Sequence, residues 1–232
     1  GTIREGLRYA MARPDLYVVM ALLFFASTFG LNFQIFNALM ATKEFGKGPA
    51  SYGLLGTYVA IGSLAGALIS ARLERFRDSM LVVRLGVVFS LVVIATAFMP
   101  TYWTYSLWLP IGGVSALAML ISANSYVQVN SDPAVRGRVM GIYLLIFMGG
   151  TPLGSLFIGY MTEAVGVRET IFICGVIPLI AATLLWIFFK GFEKRFPKIL
   201  LVVGFLYFIK IRISHDGIGG KLCVITVFIF MF

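Results

Sequence analysis

A chain of 232 residues that is 59% apolar and 12% charged, with a mean hydropathy of +0.94, has too little polar surface to fold as a water-soluble globule. Its net charge of +9 would suggest nucleic acid in a soluble domain. Here the arginines and lysines sit in short segments beside apolar runs and not along one polar face, so nucleic acid is excluded as a partner and the basic residues read as topology determinants. Cys174 and Cys223 lie in apolar surroundings without metal-ligand spacing, and the lone His215 has no catalytic company. No segment gathers a nucleophile, a base and an electrostatic stabiliser, which argues against an enzyme and leaves no cofactor or metal to expect.

Residues 1–15 read as a cytoplasmic juxtamembrane linker. Ile3, Leu7, Ala10 and Met11 fall on one helical face while Arg4, Glu5 and Arg8 point elsewhere, the pattern of a short helix lying on an anionic membrane surface. An ordinary juxtamembrane segment fits the same residues. The chain starts at Gly1 without an initiator methionine, so a preceding part is expected to exist.

Six apolar stretches come next, each near the roughly 20 residues that a helix rising about 1.5 Å per residue needs to cross the hydrocarbon layer. They run from Leu16 to Met40, Tyr52 to Ala71, Met80 to Met99, Trp103 to Val129, Val139 to Met161 and Thr170 to Phe189. The first far exceeds the apolar core of a signal peptide and is expected to stay as a span. The expected fold is all-α: a polytopic membrane helix bundle of six transmembrane helices over residues 16–190.

Arg4, Arg8, Arg13, Arg72, Arg75, Arg77, Arg84, Arg136, Arg138, Lys190, Lys194 and Arg195 flank one side of these spans, and only Lys43, Lys47 and Arg168 the other. That bias places the N-terminus and residue 190 in the cytoplasm of a plasma (bacterial inner) membrane, with Tyr102, Trp103 and Tyr105 at the outer interface.

No ionisable residue lies near the middle of a span, so no proton relay or ion site is expected there. Uncharged polar groups gather on two spans. In the first, Ser27, Gly30, Gln34, Asn37 and Ala41 share an arc of about 90° at 100° per residue, with Asn32 opposite. In the fourth, Trp108, Gly112, Ser115, Met119, Ser122 and Tyr126 repeat at spacings of four and three. Such a stripe suits a bulky, largely apolar solute, and it equally suits interhelical hydrogen bonding. Ser27, Gln34, Asn37, Trp108, Ser115, Met119, Ser122 and Tyr126 are therefore the candidate substrate-cavity residues.

Small residues recur every four positions as Gly62, Gly66 and Ser70 in the second span and as Gly150 and Gly154 in the fifth, a spacing that lets helix backbones approach closely. Pro152, between the last two, lacks a backbone donor and is expected to bend the fifth span as a packing or hinge element. In the loops, Asp132 before Pro133 signals an N-cap, with the fifth helix beginning at Ala134 and exposing Arg136 and Arg138. The run Arg72, Leu73, Glu74, Arg75, Phe76, Arg77, Asp78 alternates charges able to pair across helix ends. Glu74, Arg75, Asp132, Arg136 and Arg138 are the candidate gating residues.

Residues 191–232 form an atypical hydrophobic tail. All 20 alanines fall by residue 182, and two Ile/Phe/Val-rich runs at 199–211 and 222–232, short for spans, flank a Gly-rich link. Either they add a re-entrant or interfacial hairpin, or they are foreign to the fold; the loss of alanine favours the second.

Gly30, Asn32 and Phe33, the Gly53 to Gly66 run, the Asp132 to Gly141 run with Arg136, Gly137 and Arg138, and the Gly150, Pro152, Gly154 cluster together resemble the C-terminal six-helix half of a major facilitator superfamily transporter, in the style of bacterial macrolide and siderophore exporters. The family's cytoplasmic loop signature is degenerate here, with Ser70 where a glycine is usual, Glu74 for an aspartate, Arg75 retained, Arg77 for a glycine and Asp78 for a basic residue. The resemblance implies two inverted three-helix repeats, residues 16–99 and 103–189. It also implies a cavity lined by the first and fourth spans, second and fifth spans facing a missing N-terminal half, and alternating access for a small amphipathic solute, in the direction of efflux. The competing reading is a non-transporting remnant, or a six-span partner subunit that assembles with a second copy.

Overall fold

The computed structural model describes residues 3–73 and 78–190, and nearly all of them are helical. Helix α1 (Ile3–Ala12) stops where Pro14 opens α2 (Pro14–Phe25), because the residue before a proline is pushed out of the helical region; Arg13 is extended at φ −108°, ψ 102°. A π-helical turn at Ala26–Gly30, a break at Leu31 and Asn32, helix α3 (Phe33–Leu39) and a second π turn at Met40–Glu44 complete the first span. Five long helices make up the remainder: α4 (Pro49–Leu73), α5 (Ser79–Ala97), α6 (Tyr102–Asn130), α7 (Arg136–Val165) and α8 (Val167–Lys190).

Six runs among the described residues are long and apolar enough to cross a membrane, the first being Pro14–Glu44 taken whole. Five of the six outrun their apolar stretches at both ends, since the capping groups lie outside the hydrocarbon-length core, whereas α5 stops at Ala97, two residues short of Met99. The Asp78 carboxylate accepts from the Met80 amide at 3.2 Å to start α5. Thr101 and Thr104 cap α6 reciprocally, the Thr104 amide donating to the Thr101 hydroxyl at 3.3 Å and the Thr101 amide to the Thr104 hydroxyl at 3.1 Å.

One expectation is revised. Asp132 caps only a turn, accepting from the Ala134 amide at 2.9 Å, and α7 begins at Arg136 instead of Ala134. Of the three outer aromatics only Trp103 is exposed; Tyr102 donates to the Ser51 carbonyl at 2.8 Å and Tyr105 is fully buried, because both rings pack against Phe45.

Helix α4 lies along α6 in the most extensive helix pairing of the bundle. Glycine makes this possible: a Cβ at Gly66 would stand 2.7 Å from the Val114 carbonyl oxygen, and one at Gly62 would collide with the backbone of Pro110. Gly113 answers from α6 against Val59 and Ser63. On the far side of α6, Trp108 donates through Nε1 to the Val92 carbonyl of α5 at 3.1 Å. Leu22, Phe36, Phe89, Trp108 and Met119 are fully buried in the centre.

Burial is uneven. Only 22% of the α4 span and 28% of the α7 span are covered, against 50% or more for the other four. Gly53 and Gly56 of α4, and Gly137, Gly141, Gly149 and Gly159 of α7, have open space where a side chain would stand. Helix α7 carries Pro152 on its exposed surface without interruption. The chain divides into one unit at Gly1–Phe189 and another at Lys190–Phe232. Glu74, Arg75 and Arg77 and the tail 191–232 with Cys223 and His215 lie outside the described residues.

Candidate functional site in the interrupted first span

The π turn at Ala26–Gly30 closes with the Leu31 amide donating to the Ala26 carbonyl at 2.9 Å, five residues back. A π turn inserts one residue relative to an α turn and so rotates the C-terminal part of the span by about 100°. The five residues placed on one arc by helical spacing are consequently dispersed. Ser27 faces α7, its hydroxyl shared between the Phe24 carbonyl of its own span at 3.2 Å and the Ile146 carbonyl of α7 at 3.4 Å. Gly30 faces α5, where a Cβ would stand 2.5 Å from the Phe89 ring. Asn37 faces α6 and accepts from the Tyr105 hydroxyl at 2.8 Å, while Gln34 is exposed.

Asn32 supports the break. Its amide nitrogen donates to the Thr28 carbonyl at 2.8 Å, giving a partner to a backbone group beside the interruption. Gly154 of α7 presses on that same carbonyl, and Gly150 packs against the Ser27 and Thr28 hydroxyls, so the small residues of α7 are what admit the irregular turn. The Thr28 hydroxyl and the Asn32 amide oxygen remain fully buried and unpartnered. A buried polar atom left this way costs about 1–3 kcal/mol, and such atoms mark places where another conformation or another molecule supplies the bond.

On α6, Trp108 and Met119 are buried, Ser115 donates back to the Gly112 carbonyl at 3.0 Å, and Ser122 is half-buried. The candidate cavity residues thus meet in pairs with other elements and not as one lined surface: Ser27 with α7, Asn37 with α6, Trp108 with α5.

Charge is confined to the two ends of the bundle. At the end carrying α1, Arg13 holds the Asp15 carboxylate through both a 2.6 Å and a 2.9 Å bond, and Tyr126 of α6 donates to the same carboxylate at 3.0 Å. The hydrogen bond to Asp15 raises the Arg13 guanidinium above its ordinary pKa and outweighs the opposing desolvation. The Tyr9 hydroxyl accepts from the Asp132 amide at 3.2 Å and from Arg13 at 3.4 Å. Arg138 pairs with Glu5 at 2.9 Å, and Arg136 donates to the Ser131 carbonyl at 3.3 Å. Asp132 and Arg138 therefore join α1 to the start of α7, while Arg136 ties that start back to the end of α6.

At the opposite end Arg168 of α8 donates to Glu44 at 2.7 Å and to the carbonyls of Ala97 and Met99 at 3.0 and 2.8 Å, with its guanidinium over the Phe45 ring. By sequence Arg168 is only a topology charge, and nothing there singles out Tyr9, Asp15, Thr28 or Glu44. The Arg13–Asp15, Arg13–Tyr9 and Arg136–Ser131 contacts are local in sequence; the others join residues far apart in the chain.

The family described as transmembrane secretion effector matches residues 1–194. Among curated proteins the chain is similar to the uncharacterized MFS-type transporter YcaD of Escherichia fergusonii, 24% identical over 179 residues that make up 75% of this chain and 44% of that one. It is similar also to the uncharacterized MFS-type transporter YvqJ of Bacillus subtilis, 20% identical over 193 residues, 82% of this chain and 45% of the relative. A third, an uncharacterized MFS-type transporter of Enterobacter, is 24% identical over 107 residues, 46% of this chain and 28% of the relative. The chain spans less than half the length of these relatives. No solved structure gives a significant match. With six membrane-length helices and a family match over residues 1–194, this is a multi-pass membrane protein that belongs to the transmembrane secretion effector family, whose curated relatives carry the name MFS-type transporter.

Proposed function

We propose that the chain is the C-terminal six-span half of a carrier twice its size that exports a small amphipathic solute across a bacterial plasma membrane by alternating access, with its N-terminus and residue 190 in the cytoplasm. The observation that carries this reading is the poorly covered α4 and α7, at 22% and 28%, with open glycines on both. A lipid-facing helix gains nothing from glycine; a helix that receives another backbone does. The relatives' length supports the same reading, since it leaves room for a second six-span half.

In this reading the interrupted first span moves, and the unpartnered Thr28 and Asn32 oxygens gain partners from the solute or from the alternate state. Gln34 and Ser122, both accessible, contact the solute here; Ser27, Asn37, Trp108, Ser115, Met119 and Tyr126 are released to it as their present bonds open. Helix α7, with Gly150, Pro152 and Gly154, guides that motion, and Glu74, Arg75, Asp132, Arg136 and Arg138 gate the cytoplasmic end.

The test is energised export of a fluorescent amphipathic dye from bacteria expressing either this chain alone or the chain continuous with its upstream coding sequence. Export by the longer protein only, lost in Asn32→Leu at normal membrane yield, is expected. Export by the chain alone, as a homodimer would give, or by neither, as a remnant would give, overturns the half-carrier reading.

A further inference from the structure

Helix α1 has two faces with different fates. Gly6 and Ala10 are buried; a Cβ at Gly6 would stand 2.9 Å from the Arg138 Cβ and 3.2 Å from the Ile142 Cδ1. Glu5 pairs with Arg138 and Tyr9 with Arg13 and Asp132, so this side is fully engaged with α7 and the turn before it. The other side is Arg4, Leu7, Arg8 and Met11, spaced three and four apart and therefore neighbours on the helix surface. Leu7 is 46% and Met11 63% exposed, both arginines are exposed, and neither arginine pairs with a carboxylate among the described residues. The helical wheel alone sets Leu7 and Met11 together with Ala10; the docking on α7 separates them.

We infer that this free face of α1 seats on an anionic phospholipid surface, Leu7 and Met11 entering the acyl boundary and Arg4 and Arg8 holding the headgroup phosphates. The depth is right: α1 lies beside Arg138 to Ile142, where charge gives way to the apolar run of α7, which is the level of the headgroups. The composition is right as well, since two cations flanking two flexible apolar side chains combine electrostatic attraction with shallow insertion. An acidic protein surface would satisfy the arginines but would leave Leu7 and Met11 at bilayer depth without a role. The inference concerns the side of α1 turned away from Asp132 and Arg138 and stands whether or not the carrier reading holds.

The test uses the full chain, with Cys174 and Cys223 replaced by alanine and an environment-sensitive fluorophore on Met11→Cys, reconstituted in bilayers of phosphatidylcholine alone or mixed equally with phosphatidylglycerol. In the anionic bilayer the fluorophore is expected to shift to the blue and to be quenched by lipids brominated near the headgroup. Each of Arg4→Gln and Arg8→Gln should lower that lipid occupancy about five-fold, the factor one interfacial cation contributes. Arg4→Lys and Arg8→Lys should retain it, which separates lost charge from lost folding. Equal quenching in the two bilayers, persistence in both glutamine variants, or a fluorophore reached by neither lipid overturns the inference, the last pointing to a protein partner.

Discussion

Tyr105 and Asn37 are both buried, and their 2.8 Å bond ties α3 to the first turn of α6. Inside a membrane such a bond contributes little more than in water, because an unfolded helix in lipid also finds partners, yet losing one member strands the other. Tyr105→Phe is therefore expected to cost about 1 kcal/mol of stability. Adding Asn37→Leu should recover much of that, since no orphan oxygen remains. Unfolding of the wild type, both single variants and the double variant in one detergent measures the coupling; strictly additive losses would show that the bond is not formed.

At the scale of elements, the two glycine sets make opposite predictions. Gly66 stands against the Val114 backbone, so Gly66→Leu should destabilise the six-span unit itself by about 3 kcal/mol through overpacking. Gly141 has nothing within contact, so Gly141→Leu should leave the unit's stability within about 0.5 kcal/mol and disturb only association with a further set of spans. Thermal unfolding of each variant, alongside cross-linking to an N-terminal half, distinguishes the two; a loss of unit stability in Gly141→Leu would sink the assignment of that face. The six spans were legible because bilayer thickness imposes a length on apolar runs that no soluble context would. The close approach of α4 was legible too, from Gly62 and Gly66, although its target proved to be α6 of the same unit. The interruption at Leu31 and Asn32 was not, for the π turn depends on the room that Gly150 and Gly154 leave on a helix far along the chain. Once the turn is present, arcs counted at 100° per residue across it lose their meaning, which is why Ser27 and Asn37 look toward different helices.

For the molecule as a whole, orientation rests on the distribution of arginine and lysine, and the structure sharpens where to probe it. Lys47 lies just past the first span and Ala134 in the turn before α7, both exposed and at opposite ends. Lys47→Cys should react with an impermeant thiol reagent in intact cells and Ala134→Cys only after lysis; the reverse pattern would invert the topology. Both ends are tied, but through different residues and to different neighbours. Below the break, α2 is fastened to α6 by Asp15 and the π turn to α7 by Ser27; above it, the α3 segment is fastened to α6 by Asn37 and, at its end, to α8 by Glu44. Mechanically the first span is two rods meeting at a packed joint, not one beam. In a span jointed at Leu31 and Asn32, a displacement of the lower rod need not lever on the Arg168 clamp, which is what the proposed export cycle would ask of it.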